Sequence, residues 1–176
     1  MKRLRAAWQA WAVLAVVLEA GCGYHVSGHA DLLPRSIHSI AIPAFANSSM
    51  RYKLTEQLPG AITREFITRT RYQIVPDPGA ADAVLTGTVT GYNSYPTTYD
   101  PVTGRASAVQ LSVLLNVTLR ERATSAVLFS RERMEFRGRY EISVDQSAYF
   151  EESDAALGRL SRDVARTLVS AILERF

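Results

Sequence analysis

The stretch ASAVQLSVLLNVTLRER (residues 106–122) carries the alternation around which the rest of the chain is arranged. Its apolar side chains recur at every second position: Val109, Leu111, Val113, Leu115, Val117 and Leu119. A period of two is typical of a β-strand with one buried face. The sequence therefore predicts a long strand here, covered on one side.

Two further strands flank this one. In ADAVLTGTVTGYNSY (residues 81–95) the set Val84, Thr86, Thr88 and Thr90 alternates with Leu85, Gly87, Val89 and Gly91. We expect Pro96 to break this strand and TTYDPVTGR (residues 97–105) to form a hairpin tip. After a tight turn at residues 124–126, Val127 to Glu141 forms the third strand. The three strands should make an antiparallel meander.

The preceding segment predicts a strand, a helix and a second strand. IHSIAIPAF (residues 37–45) is a short apolar strand, followed by a polar loop at residues 47–49. Leu54, Leu58, Ile62 and Phe66 then recur at helical spacing. Pro59 leaves two possibilities, a helix that begins near Gln57 or one kinked at the proline. Residues 72–75 form the second strand, which should pair parallel with the first as in a βαβ unit.

The chain closes with a second amphipathic helix. Its apolar stripe consists of Leu157, Leu160, Val164, Leu168, Ala171 and Ile172, and either Ser153 or Asp154 can cap it. The predicted class is α+β: a mixed β-sheet, built from the βαβ unit and the long antiparallel meander, with two helices packed on one face.

The first residues predict a targeting signal. Lys2, Arg3 and Arg5 precede a mostly apolar run at residues 6–18 that is too short to span a membrane. Ala20 and Gly21 then lead to Cys22, the only cysteine, as in a bacterial lipoprotein signal. Glu19 departs from that pattern, and an ordinary secretory signal with an unmodified cysteine remains the alternative. We predict a signal peptide at residues 1–21, a lipid on Cys22, a tether at 22–35 and one domain at 36–176. Gly23 after the cysteine favours sorting to the outer membrane.

Composition and motifs argue against several functions. The chain of 176 residues has a net charge of +3, and removal of residues 1–21 lowers it to +1, so nucleic-acid binding has little support. His25 and His29 lie in the tether, which favours a solvated segment over a metal site. Glu151 and Glu152 are better explained as charges at a helix start than as a catalytic pair. We predict no catalytic residue, no metal and no cofactor, and hence no enzyme.

Arginines are the remaining candidates for binding. Arg131, Arg133, Arg137 and Arg139 share one parity on the third long strand, and Arg105 lies at the predicted hairpin tip. Arginine binds phosphate through two parallel hydrogen bonds, which lysine cannot do. These five residues are candidate contacts for an anionic lipid or for an acidic wall of a partner. The alternative is an ordinary solvated sheet face.

Several segments together resemble the LptE family of LPS-assembly lipoproteins. They are the opening Cys22-Gly23-Tyr24-His25-Val26, the strand IHSIAIPAFANSS, the helix with its following strand YKLTEQLPGAITREFITRTRYQIV, and the meander with its closing helix. The resemblance implies a palmitate-type lipid anchor on the periplasmic face of the outer membrane of a Gram-negative cell envelope. It also implies that the domain plugs and helps assemble the LptD β-barrel translocon, and that it binds lipopolysaccharide during lipopolysaccharide transport to the cell surface.

The match to the family is uneven at the level of residues. Arg105 occupies a place comparable to a basic position of the family near the first hairpin tip. A second basic position, near the entry to the last helix, is replaced here by Tyr149, Phe150, Glu151 and Glu152. One alternative also stays open, because IAIPAFANSS is similar to the opening strand of curli-pore lipoproteins, which are subunits of a periplasmic secretion channel.

Overall fold

The computed structural model describes residues 33–142 and 148–174, with side chains described from 33 to 142 and from 153 to 174. The elements follow one another in the order strand, strand, helix, four strands, helix. They are β1 (Ser39–Ala41), β2 (Ala46–Asn47), α1 (Leu54–Arg69), β3 (Gln73–Val75), β4 (Ala83–Tyr99), β5 (Ala106–Glu121), β6 (Val127–Glu141) and α2 (Ala148–Leu173). The predicted order is confirmed apart from β2, a two-residue strand at the start of the segment expected to be a loop.

The strands form one mixed sheet in the order β3-β1-β4-β5-β6, with β2 beside β4 as well. β1 pairs parallel with both β3 and β4, whereas β4, β5 and β6 pair antiparallel. This confirms the parallel strand pair of the βαβ unit and the antiparallel meander. β2 continues the line of β1 along β4, because Ala46 lies opposite Thr88 and Asn47 opposite Val89.

The core lies between the sheet and the two helices. All six apolar residues of the β5 pattern are at most 4% exposed. Gly138 of β6 lies opposite Leu111, and a β-carbon added there would be 3.5 Å from Leu160 of α2. The apolar stripe of α2 is buried, apart from Ala171, which is partly buried. The helices therefore cover the β5 face that carries the odd-numbered residues, and the prediction of two helices on one face is confirmed.

Pro59 lies inside α1, because the helix begins at Leu54 and not near Gln57. A residue at this position normally donates its N–H to the carbonyl four residues earlier, which is that of Thr55. Proline has no N–H, and the Thr55 carbonyl instead accepts the N–H of Phe45 at 3.2 Å. The proline thus leaves a helix carbonyl available to hold the segment between β1 and β2.

Phe45 is also fixed through its side chain. The ring is 2% exposed and lies over Gly87 of β4, where an added β-carbon would be only 2.3 Å from Cε2 of the ring. No side chain larger than hydrogen fits under the ring unless the ring moves. Phe45 therefore links α1, the β1–β2 segment and β4 at one point of the core.

Gly87→Ala should destabilise the protein by about 1–3 kcal/mol, because the new methyl group must displace the ring of a close-packed core. Urea unfolding followed by circular dichroism measures the change. Gly60→Ala is the matched control: it lies inside α1, its added β-carbon meets only the end of Arg64 at 3.7 Å, and it should stabilise by about 0.5–1 kcal/mol. Equal stability of Gly87→Ala and the wild type would contradict the assigned packing.

Three sequence-based boundaries are corrected by the structure. α2 begins at Ala148, so Ser153 and Asp154 lie within the helix and do not cap it. β4 continues through Pro96 to Tyr99. No described strand pairs with the edge of β4 away from β5 there, since β2 reaches only Val89, and proline is tolerated on such an edge. Leu33, inside the segment predicted as a tether, is 5% exposed, and its N–H donates to Tyr72 Oη.

Asp82 joins β1 to the start of β4. Its Oδ2 accepts hydrogen bonds from the N–H groups of His38 and Ser39 and from Ser39 Oγ, each at 2.9 Å. The Asp82 N–H in turn donates to Ser39 Oγ. These hydrogen bonds lower the pKa of Asp82 below its ordinary 3.8, and the bond from the His38 N–H has the largest effect. The ionised carboxylate is therefore the form that stabilises the fold.

Asp82→Asn should lower the free energy of unfolding at pH 7 by about 1–2 kcal/mol, through loss of hydrogen bonds to a charged acceptor. Because the folded-state pKa is lowered, this stabilisation is present above pH 3.8 and is lost as the pH falls toward that lowered pKa. Urea unfolding of the variant and the wild type at pH 7 and at an acidic pH below 3.8 measures the effect. Asp163→Asn, which removes only an exposed ion pair on α2, should change little. A deficit of Asp82→Asn that persists unchanged in acid would contradict the prediction.

Candidate functional site

The arginines of β6 do not lie on one face of the sheet, which corrects the shared-parity prediction. Arg131 lies opposite Val117 and Met134 opposite Leu115, so Glu132 and Arg133 together face the single residue Asn116. This extra residue is a β-bulge, and Arg133 has a positive φ of 53° there. A bulge reverses the side-chain alternation that follows it.

The bulge separates the four arginines into three environments. Arg131 is exposed on the side of the sheet that carries the buried Val117. Arg133 sits at the bulge itself, where its N–H donates to Asn116 Oδ1 at 2.8 Å. Arg137 and Arg139 project from the opposite face, which neither described helix covers. A contact surface can therefore include Arg137 and Arg139 together, but not all four side chains.

A second bulge places tyrosine on the same uncovered face. Val89 lies opposite Leu115 and Gly91 opposite Leu114, so Thr90 is the extra residue of β4. Gly91 consequently shares the face of Leu114, and not that of Leu85 as the alternation predicted. From there on, Asn93 and Tyr95 point away from the helices.

We use "open face" for the residues of β4, β5 and β6 on this uncovered side. Two rows cross the three strands: Asn93–Ser112–Arg137 and Tyr95–Gln110–Arg139. Sequence reasoning missed Tyr95, which is 47% exposed; a period of two would find it only if the bulge at Thr90 were known. The open face offers a flat array of hydrogen-bonding groups with two guanidinium groups at its β6 edge.

Arg137 is held by its neighbour on the strand. Its Nε and Nη2 donate to the two carboxylate oxygens of Glu135, at 2.9 and 3.0 Å. Ser112 Oγ donates to the same carboxylate at 2.8 Å. The Arg137 contact, and then that of Ser112, lowers the pKa of Glu135, and the contact with Glu135 raises the pKa of Arg137. A new anionic ligand of Arg137 must compete with Glu135.

Arg139 is less strongly engaged. Its Nη2 donates to Thr98 Oγ1 at 3.3 Å, and no carboxylate in the described residues pairs with it. It also borders a shallow cavity with Arg159 of α2. Arg139 can therefore accept an anionic partner without losing an ion pair.

The hairpin tip between β4 and β5 presents Arg105. Asp100 Oδ1 accepts the N–H groups of Val102 and Thr103 and the Thr103 hydroxyl, at 2.7–3.0 Å. The Asp100 N–H donates to the Arg105 carbonyl at 2.8 Å, and Gly104 takes a positive φ of 66°. The hydrogen bonds that Asp100 Oδ1 accepts lower the pKa of Asp100, and the bond from the Thr103 N–H has the largest effect. The turn fixes the backbone of Arg105, whose side chain makes no ion pair within the described residues.

The tip also exposes apolar surface that the sequence did not mark. Val102 is 91% exposed and Tyr99 is 59% exposed, on either side of the turn at Asp100. Arg105 lies five residues before Gln110, which pairs with Arg139, so the backbone positions of the two arginines are roughly 17 Å apart along the strand direction. Arg105 and the two rows of the open face thus lie in the same half of the sheet, the half nearer the β4–β5 hairpin tip.

The other candidates that the sequence suggested fall outside the described part of the chain. Cys22, His25 and His29 precede residue 33, and the side chains of Glu151 and Glu152 are not among those described. Among the residues that the structure does describe, no group of three or more His, Cys, Asp or Glu side chains could hold a metal ion. Neither described helix is both long and apolar enough to cross a membrane.

The architecture is that of a small α+β domain with one sheet face that neither described helix covers, and sequence comparison assigns it to a family. The model of the LptE family, described as lipopolysaccharide-assembly, matches residues 37–172. This chain belongs to the LptE family. The match agrees with the resemblance found in the sequence and favours it over the curli-pore alternative. No curated protein sequence matches the chain.

Solved structures with the same fold are distant in sequence. A putative lipoprotein from Caulobacter crescentus CB15 is 14% identical, with a TM-score of 0.54 over 76% of this chain and 88% of that one. The uncharacterized lipoprotein B from Nitrosomonas europaea is 16% identical, with a TM-score of 0.54 over 87% and 96%. The rare lipoprotein B from Shewanella oneidensis is 12% identical, with a TM-score of 0.50 over 77% and 95%. At these identities the likeness establishes the fold alone.

Asp100→Ala should loosen the tip and speed amide hydrogen exchange at Val102 and Thr103 by about fivefold or more, because their acceptor is removed. Exchange measured by NMR tests this. Asp77→Ala is the matched control, since Asp77 Oδ1 accepts the Gly79 N–H in a separate turn, and it should leave the tip unchanged. Unaltered exchange at both tip amides in Asp100→Ala would show that Asp100 does not order the turn.

Proposed function

We propose that this protein is a lipid-anchored outer-membrane lipoprotein of lipopolysaccharide assembly. In this proposal Cys22 carries the lipid on the periplasmic side, the domain plugs and helps assemble an LptD-type β-barrel, and it contacts lipopolysaccharide during delivery. Its role is binding and not catalysis. Membership of the LptE family supports the pathway, and the open face is the observation that carries the plug role.

A plug must match the polar interior of a large outer-membrane barrel. The open face suits this requirement because its hydroxyl, amide and guanidinium groups can exchange water for hydrogen bonds to the barrel wall. The buried face is already filled by the helices, so docking needs no rearrangement of the core. The long β4–β5 hairpin gives the domain a stiff projection with Arg105 at its end.

The arginines differ in how readily each could bind a lipid phosphate. Arg105 has no ion-pair partner among the described residues and sits on an ordered turn, so binding costs it no existing pair. Arg139 loses only its contact with Thr98, whereas Arg137 must leave Glu135. Arg105 and Arg139 are therefore the first candidates for phosphate, and Arg137 for hydrogen bonds to a barrel wall.

Purification of the native protein from membranes tests the proposal. A large barrel protein at equal stoichiometry, together with an acylated Cys22 in the mass spectrum, is the expected result. Recovery as a ring of identical subunits without a barrel would support a secretion-channel subunit instead. An unmodified thiol on a protein free in the periplasm would reject the anchor.

Charge reversal tests the proposed contacts. Arg105→Glu, or Arg137→Glu combined with Arg139→Glu, should weaken binding of lipopolysaccharide or of the barrel by about tenfold, because each replaces an attraction by a repulsion. Arg105→Glu should act mainly on the lipid, whereas the double change should weaken binding of both ligands, because it alters Arg139, a candidate for phosphate, together with Arg137, a candidate for the barrel wall. Titration of purified variants against each ligand measures this.

Arg162→Glu on the exposed side of α2 makes the same charge change away from the site and serves as the control. Thermal unfolding of all variants should remain close to that of the wild type, since these side chains are exposed. Folded variants that bind both ligands as the wild type does would reject the assignment of these arginines.

A further inference from the structure

A groove at the opposite end of the sheet from the hairpin tip is lined by basic side chains. It has a volume of about 620 Å³ and lies between residues 33–38 and the chain leading into β3. Arg35, His38 and Arg71 contribute its basic groups, while Leu33, Ile37 and Tyr72 contribute apolar surface. The groove is thus a concave, amphipathic site that belongs to neither the open face nor the tip.

The two arginines of the groove are not neutralised by the described residues around them. Arg35 and Arg71 are exposed and form no ion pair with any residue in 33–142 or 153–174. The two carboxylates that contact this segment accept hydrogen bonds from its backbone and from a serine hydroxyl, and not from the two arginines. Asp82 accepts from the His38 and Ser39 backbone, and Glu121 accepts from Ser36 Oγ at 2.8 Å. Asp82 and Glu121 stay ionised beside the segment, but neither pairs with Arg35 or Arg71, so both guanidinium groups can accept an anion without breaking an ion pair among the described residues.

The backbone that bears Arg35 is held in place. Leu33, Ile37 and Tyr72 are at most 8% exposed, and the Leu33 N–H donates to Tyr72 Oη at 3.0 Å. The Ile37 N–H closes a turn onto the Pro34 carbonyl at 2.9 Å. Arg35 therefore projects from an ordered turn, and an anion in the groove would meet a largely preformed site.

The position of the groove along the chain indicates its occupant. Leu33 lies eleven residues after Cys22, and an extended segment of that length spans at most about 37 Å. Ile40 pairs with Ala83 at the start of β4, which then runs for about 54 Å to Tyr99 near the tip. If Cys22 carries a lipid, as proposed above, the tether keeps the groove within that distance of the membrane surface, while the tip lies at the far end of the strand.

We propose that this groove binds the phosphate of an anionic phospholipid headgroup in the membrane that holds the anchor. Arg35 and Arg71 supply the charge-assisted hydrogen bonds to the phosphate. The contact adds a second attachment to the lipid anchor and sets the orientation of the sheet relative to the membrane. The inference rests on the proposed anchor but not on barrel binding.

Vesicle binding by the chain from residue 22 with Cys22→Ser tests the groove without the anchor. Every residue of the described core lies between Leu33 and Leu173, so this chain keeps the complete core. It should sediment with vesicles of phosphatidylcholine and phosphatidylglycerol, and less with phosphatidylcholine alone. Arg35→Gln combined with Arg71→Gln should weaken the binding by about 20- to 30-fold, and the difference should shrink with added salt.

Arg159→Gln combined with Arg162→Gln is the matched control, because it removes the same charge from exposed positions of α2. Equal binding by the two double variants would overturn the proposal, as would binding of inorganic phosphate without binding of vesicles. Circular dichroism should show both variants folded. The lipidated variant with Arg35→Gln and Arg71→Gln should still co-purify with the barrel. If even the wild type does not co-purify with a barrel, the proposed function is wrong, but the vesicle experiment still tests the groove.

Discussion

The packing of the Phe45 ring on Gly87 joins β4 to the segment between β1 and β2 and, through the Phe45 N–H, to α1. The ring lies where any β-carbon at Gly87 would be, and the Phe45 N–H occupies the helix carbonyl that Pro59 leaves unused. Three features that look unfavourable alone therefore support one another: a glycine in a strand, a proline in a helix and an apolar residue in a loop. Together they bring β2 against β4 and hold α1 over the sheet.

Two β-bulges then determine which side chains reach the open face. The extra residue at Thr90 turns Asn93 and Tyr95 away from the helices, and the extra residue at Glu132–Arg133 does the same for Arg137 and Arg139. Both bulges lie near the same level of β5, opposite residues 114–116. The face of the sheet that the described helices leave uncovered therefore changes its set of side chains at this level, and Asn93, Tyr95, Arg137 and Arg139 reach it only because of the bulges.

Several acidic side chains are hydrogen-bonded within the domain, whereas several arginines have no carboxylate partner among the described residues. Asp82, Asp100, Glu121 and Glu135 all have lowered pKa values, because hydrogen bonds from backbone or side-chain donors stabilise their charged forms. These carboxylates serve turns and strand connections. Arg35, Arg71, Arg105 and Arg139 lack carboxylate partners among the described residues. A nearly neutral domain can in this way present positive charge at both ends of its sheet.

Because hydrophobic period is a local property, spacing alone predicted the two helices, the long strands, the parallel β1–β3 pair and the antiparallel meander, but not β2 or the parallel pairing of β1 with β4. The six apolar residues of β5, the stripe of α2 and the bounds of β6 were all readable from spacing. It could not determine the bulges, since one extra residue leaves local composition unchanged and is visible only against a partner strand. For that reason the four arginines share one parity but not one face, and Tyr95 was missed. Pro96 is tolerated because no described strand pairs with that edge of β4. Pro59 is tolerated because the N–H of Phe45 donates to the Thr55 carbonyl that the proline leaves without its helical partner. Side-chain direction and hydrogen-bond partners across long separations are properties of the assembled sheet, and only the tertiary structure decided them.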